Sequence, residues 1–338
     1  MAIDLSALEQ FPLVVLGHWP TPLERCDRLR EMLVGPTIWI KRDDCTGLGG
    51  GGNKTRKLEY LLGQALAEGA DSVVTFGALQ SNHARQTAAA CARLGLRCDL
   101  ILTRMVARDD DHYLRSGNVL LDHLFGASLH MADDAEAATE CYRRLAVAAS
   151  AGGRRVFAIP AGGSNATGLL GYVHGAMELA AQARERGFAI DRIVVAASTA
   201  GTAAGLVLGA ALSGIDAVVD AICVYKDAAT TTAEIRRLVV EGAARLGCAA
   251  PGEERWTVTD AFFGPGYGVP TPEMLRAVSL FARTEGVLLD PVYTGKAAAA
   301  LIDVMERGEL AADRNIVFLH TGGAPGLFAY TPMLSANE

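Results

Sequence analysis

A lysine stands one residue behind a run of glycines. Residues 47–54 read Gly47-Leu48-Gly49-Gly50-Gly51-Gly52-Asn53-Lys54, and Leu58, Leu61, Leu62 and Ala65 follow at the spacing of one buried helical face. Asn53 is then a candidate N-cap, its side chain accepting from first-turn amides. Lys54 becomes the first helical residue. There the positive end of the helix dipole and the charges of Arg56 and Lys57 all disfavour an ammonium. A lysine that gives up its proton easily is a nucleophile for a carbonyl carbon. A solvated basic first turn has the same letters, so the other loops must decide.

Three of them follow short apolar runs. Gly77-Ala78-Leu79-Gln80-Ser81-Asn82-His83 enters an Ala-rich stretch; Ser81 can cap that helix, leaving first-turn amides for a carboxylate. Ser198-Thr199-Ala200-Gly201-Thr202 leads into an uncharged helix, where small residues let backbone approach a ligand and hydroxyls and amides offer donors to a phosphate. No lysine accompanies this loop in sequence, which suits an anchored phosphate better than a transferred one. Tyr267, within Gly264-Pro265-Gly266-Tyr267-Gly268, and Tyr293, within Asp290-Pro291-Val292-Tyr293-Thr294-Gly295-Lys296, are presented by rigid turns rather than by a helical stripe. A last apolar run delivers His320-Thr321-Gly322-Gly323.

The elements that must position these loops alternate. Strands are expected at 37–41, 72–76, 99–103, 128–130, 155–159, 192–196, 218–224 and 315–319. Helices are expected at 54–68, 82–94, 115–125, 134–151, 167–187, 202–213, 231–246, 272–285 and 296–307. Single helices between strands imply right-handed crossovers and an α/β fold: open, mostly parallel twisted sheets with helices on both faces. With no linker or repeat, a second domain has to leave and re-enter the first, and the glycines at 47–52 and 162–163 are the crossing points. The division expected is 1–52 with 163–338 as the larger domain and 53–162 as the smaller inserted one, with the active site between them.

Composition removes other classes. The 338 residues carry 37 glycines but 12 prolines and no collagen period, half the residues are hydrophobic and only 6% are aromatic. Such a chain has a stable aliphatic core. A net charge of −7, spread along the chain, predicts no nucleic-acid or anionic-membrane footprint. Seven cysteines without C-x-x-C pairs point to a reducing, cytoplasmic setting and no structural zinc. The N-terminus lacks a secretory pattern. The uncharged stretch Ile193 to Ile215 is read as strand, loop and buried helix, not a membrane span. Asn53 interrupts a Walker A loop. Gly47-x-Gly49-x-x-Gly52 does satisfy a dinucleotide pattern, but the acid that should close the next strand, Asp71, opens it; a Rossmann-type site remains the alternative from a different class.

Taken in order, these residues resemble the 1-aminocyclopropane-1-carboxylate deaminase/D-cysteine desulfhydrase family, pyridoxal-phosphate enzymes of the tryptophan synthase β-like class (fold type II). The likeness spans nearly the whole chain, from Pro20-Thr21-Pro22-Leu23 through residues 51–59, Gln80-Ser81-Asn82-His83, Gly266-Tyr267-Gly268 and 290–296 to His320-Thr321-Gly322-Gly323-Ala324. The resemblance implies that Lys54 holds pyridoxal 5'-phosphate covalently and later moves the substrate Cα proton. Ser198, Thr199, Ala200, Gly201 and Thr202 would bind the phosphate and Asn82 the ring hydroxyl, while Tyr293 would stack on the pyridine. Ser81, Asn82 and His83 would hold a small amino-acid substrate by its carboxylate, with Tyr267 and Thr321 near it. It also implies a homodimer. The cyclopropane deaminases carry Glu and Leu where Thr294 and Thr321 stand; desulfhydrase-like members have Thr at both. A carboxylate at the pyridine nitrogen keeps it protonated, whereas a hydroxyl only hydrogen-bonds it, which suits elimination of a sulfur leaving group. The activity expected is a carbon–sulfur lyase converting D-cysteine to pyruvate, ammonia and hydrogen sulfide. Residues 38–48 are more similar to the L-cysteate sulfo-lyases, which release sulfite and need a cationic or amide-rich pocket. Cyclopropane deamination ranks below both.

Overall fold

The computed structural model describes residues 6–33, 35–312 and 314–334. Among them, ten strands form two sheets. The larger has the order β1-β2-β10-β7-β8-β9, with β1 (Leu23–Arg25), β2 (Thr37–Arg42), β7 (Arg192–Ala197), β8 (Val218–Cys223), β9 (Trp256–Thr259) and β10 (Asn315–His320). All its pairings are parallel except that of β1 with β2. The smaller is parallel throughout, in the order β5-β4-β3-β6: β3 (Ser72–Ala78), β4 (Arg97–Thr103), β5 (Ser128–Ala132) and β6 (Val156–Ile159).

Alternation along each strand covers both faces of both sheets. In β10, Ile316 and Phe318 join the layer under the helices Pro272–Glu285 and Thr294–Glu306. Val317 and Leu319 point the other way, to the helices Leu170–Glu185, Gly201–Leu212 and Ala228–Leu246. In β4, Leu100 and Leu102 pack towards Lys54–Ala67 and Asn82–Leu94, and Ile101 towards Ala135–Ala151. Burial on both faces is what a parallel sheet requires.

The eight expected strands are present, within a residue or two at their ends. β1 and β9 were not expected. Both are edge strands of three or four residues, too short to show a period of two. The helix expected at 115–125 is two pieces, Asp111–Arg115 and Gly117–Leu124, broken at Ser116. No described helix is long and apolar enough to cross a membrane.

Candidate active site

A cavity of about 500 Å³ lies between the carboxyl ends of the sheets, where open α/β sheets present their loops. β3 and the loop after it supply Gly77, Ala78, Ser81, Asn82 and His83, β7 leads to Ser198 to Thr202, and β10 leads to Thr321. Lys54, Tyr267 and Tyr293 complete the group, so the structure brings together every residue anticipated at the site except Thr294.

Lys54 opens the helix Lys54–Ala67 and lines the cavity. Burial lowers its pKa to about 8, against the pull of the Asp290 carboxylate. The neighbouring charges invoked from sequence are not the cause. Arg56 turns into a buried network with Asp43 and Glu178, and Lys57 is itself a depressed lysine. Asn53 also departs from expectation: its backbone is already helical, its side chain caps nothing, and its Nδ2 instead donates to Thr202 Oγ1 at 3.1 Å. It thereby ties the lysine's helix to the β7 loop. The glycines before it permit a very close approach, since a Cβ on Gly51 would fall 1.8 Å from the Asp44 carbonyl oxygen.

The β7 loop forms an anion cradle. Ala200 has φ +60°, alone among described non-glycine residues in taking a positive φ, and strain of this kind gathers at functional loops. It turns the chain so that the helix Gly201–Leu212 begins at the cavity, leaving first-turn amides without intrahelical partners. The space depends on absent side chains: a Cβ on Gly201 would lie 2.5 Å from Ser164 Oγ and 3.0 Å from Lys57 Nζ. Ser164 and Thr199 hydroxyls are 2.7 Å apart. Lys57 Nζ donates to Ser164 Oγ and to the Gly162 carbonyl, both at 3.1 Å. Burial and the charge of Lys54 hold its pKa well below the usual value. The sequence placed no lysine beside this loop. The structure does, because the turn at 162–164 carries the Lys57 partners across to it. A lysine amine, hydroxyls, amides and a cavity closed to any Cβ fit a phosphate group, and the neighbouring lysine fits the carbonyl of a phosphate-bearing aldehyde.

On the β3 side, Ser81 caps its helix by accepting from the Ala84 amide at 3.1 Å. Asn82 Oδ1 accepts from Asn118 Nδ2 at 3.1 Å. His83 is buried, and its protonation pattern follows from its partner. Thr75 Oγ1 donates its one proton to the Ile159 carbonyl at 2.9 Å, so at 2.8 Å it accepts from His83 Nε2. Nδ1 is thus a bare acceptor, with no protein partner. Burial, then Lys54 and Lys57, keep this imidazole well below its ordinary pKa and hence neutral.

Tyr267 and Tyr293 meet through hydroxyls 2.5 Å apart, and burial raises both pKa values. Thr294 lies beside them but does not line the cavity. Its Oγ donates to Asp290 Oδ1 at 2.7 Å and accepts from the Asp290 amide at 2.8 Å. The same carboxylate takes the amides of Val292, Tyr293 and Thr294. Thr294 is spent on shaping the turn that presents Tyr293. Among the described residues Lys54 and Lys57 are the only lysines lining the cavity, no arginine lines it, and no cluster suited to a metal occurs.

Fold and site together define an α/β enzyme with a deprotonable lysine opposite an anion cradle. The family of pyridoxal-phosphate dependent enzymes matches residues 14–322, and the chain belongs to that family. It is 45% identical over 332 residues to D-cysteine desulfhydrase of Klebsiella pneumoniae, covering 98% of this chain and all of the relative. To D-cysteine desulfhydrase of Yersinia enterocolitica it is 44% identical over 327 residues, 97% of this chain and 98% of the relative. A crystal structure of an ACC deaminase homologue superposes with a TM-score of 0.89 at 37% identity, covering 99% of both chains. A threonine deaminase from T.th. shares the fold, with a TM-score of 0.63 at 21% identity over 90% of this chain and 92% of that one.

Proposed function

We propose that this enzyme is a carbon–sulfur lyase that converts D-cysteine to pyruvate, ammonia and hydrogen sulfide. The observation that carries this reading is the cavity wall. Among the described residues it offers two lysines and no arginine: Lys54, which would carry the cofactor, and Lys57, whose amine is already shared between Gly162 and Ser164. None of them is left to neutralise a substrate sulfonate, which disfavours L-cysteate, while a small neutral thiol needs no counter-ion. The relatives named D-cysteine desulfhydrase support the same choice.

Bound pyridoxal phosphate would supply the electron sink for the pair left at Cα when its proton departs. The chain's own part is positioning and proton movement. Ser198 to Thr202, with Lys57, would hold the phosphate, and Thr321 would offer its hydroxyl to the ring nitrogen in the role first expected of Thr294. Tyr293 would lie against the ring, and Asn82 would reach the ring hydroxyl. Ser81, Asn82 and the His83 backbone amide, at a helix N-terminus, would take the carboxylate. The His83 ring is the wrong partner for it, since its free nitrogen only accepts. Lys54, whose neutral fraction is raised by its depressed pKa, would take the Cα proton. The Tyr267–Tyr293 hydroxyl pair would sit beside the departing sulfur. We place the boundary between two domains at 52/53 and 162/163, and expect a cytoplasmic homodimer.

The test is direct. Purified protein with added pyridoxal phosphate should show a visible absorption band, absent in Lys54→Ala, and should release sulfide from D-cysteine. Sulfite from L-cysteate or 2-oxobutanoate from 1-aminocyclopropane-1-carboxylate, in place of sulfide, would overturn the assignment.

A further inference from the structure

Lys296 is a buried lysine that the chemistry above leaves unused. It ends the Asp290–Lys296 motif, lies in the first turn of the helix Thr294–Glu306 and is 0% exposed. A cation there is disfavoured twice, by burial and by the positive end of the helix dipole. Burial lowers its pKa to about 8, with the Asp290 carboxylate opposing. A lysine retained at such a place should be holding something that an apolar residue cannot. What its amine holds is backbone: it donates to the Phe263 carbonyl at 2.6 Å and the Gly266 carbonyl at 3.1 Å, with its ammonium 5.5 Å from the Phe263 ring.

Those two carbonyls belong to the turn Phe263-Gly264-Pro265-Gly266 that runs into Tyr267. On its far side the turn is held by the Tyr330 hydroxyl, which donates to the Gly268 carbonyl at 2.7 Å. Tyr267 in turn meets Tyr293, the residue that starts the helix carrying Lys296. One helix start therefore supplies Tyr293 directly and holds the loop of its partner through Lys296. We propose that Lys296 is a positioning residue that fixes the 263–267 turn so that the Tyr267 hydroxyl stays against Tyr293 at the cavity. The proposal rests on the cavity being the active site.

The experiment compares Lys296→Met, Tyr267→Phe and the double variant as cofactor-loaded enzymes. It measures kcat and KM for sulfide release, the visible band, and hydrogen exchange at amides 262–268. Lys296→Met should lower kcat at least tenfold with KM and the band little changed. In the Tyr267→Phe background the same substitution should cost less than twofold, because the group it positions is gone. Amides 262–268 should exchange faster. Equal losses in both backgrounds, or unchanged exchange, would overturn the proposal. Lys296→Gln, which keeps a donor for one carbonyl, is read in the same way should the methionine variant not fold. A wild-type enzyme that releases no sulfide overturns the D-cysteine reading instead, and the exchange comparison then decides the role of Lys296 alone.

Discussion

At position 294 the side chain that the sequence points toward a cofactor ring spends its hydroxyl inside its own turn. Thr294 and Asp290 exchange two hydrogen bonds there, both buried. Thr294→Val leaves the Asp290 amide and carboxylate each short of a partner, which should destabilise the fold by about 1–3 kcal/mol in urea titration while the visible band stays in place. Thr321→Val should shift the band and cost little stability. The reverse pattern would return Thr294 to the ring. The same scale holds the pH behaviour of Lys54. With an ordinary pKa near ~10.4, well under one in a hundred of its amines would be neutral at pH 8; with a pKa of about 8, half are. The rate at which added pyridoxal phosphate generates the visible band in apoprotein should therefore rise up to about pH 8 and level off above it. A rise continuing toward pH 10 would show that burial does not depress this lysine.

The helix Lys54–Ala67 is held by more than its apolar face. Arg56 Nε and Nη2 donate to Asp43 at 2.8 and 2.9 Å, and Nη2 and Nη1 to Glu178 at 2.9 and 3.2 Å. Lys41 Nζ reaches the same Glu178, and the Tyr172 hydroxyl reaches Asp43 at 2.6 Å. Burial would raise Asp43, yet Arg56 brings it down to about 2. The network joins the end of β2, the helix bearing Lys54 and the helix Leu170–Glu185. Arg56→Met leaves the buried Asp43 with hydroxyl partners alone and Glu178 with Lys41 as its one cation, and should cost ~3–5 kcal/mol, read from urea midpoints; a loss under about 1 kcal/mol would show the network to be dispensable. The sequence reveals some elements and hides others for physical reasons. Long strands and helices announce themselves because their faces must alternate, as in β4 and β10. Ser81 was readable as a cap because capping is local. Asn53 was misread because a side chain from the β7 loop, far along the chain, competes for it. Lys57 and Arg56 look alike in sequence, and only the approach of distant turns sends one to the anion cradle and the other to buried carboxylates.

The cavity has two walls built by two sheets. The cradle, Thr321 and the tyrosine pair come with the six-stranded sheet, while Gly77, Ala78, Ser81 to His83 and Thr103 come with the four-stranded one. The segment 160–164 crosses between them and supplies the Gly162 and Ser164 partners of Lys57. A ligand that fills the cavity therefore links both halves, and binding only to the folded state adds ~2.7 kcal/mol at a hundred times its dissociation constant. How that stabilisation is distributed depends on which wall the ligand touches. Inorganic phosphate can occupy only the cradle, so in apoprotein it should slow hydrogen exchange at 198–203 and 162–164 while leaving 77–84 unchanged. Pyridoxal phosphate, spanning from the cradle to Lys54 and Asn82, should slow exchange on both walls, and D-serine added to the loaded enzyme should deepen the protection at 81–84 through its carboxylate. Protection by pyridoxal phosphate confined to the cradle would mean that the cofactor does not bridge the sheets, and the Ser81–Asn82–His83 loop would then need another ligand.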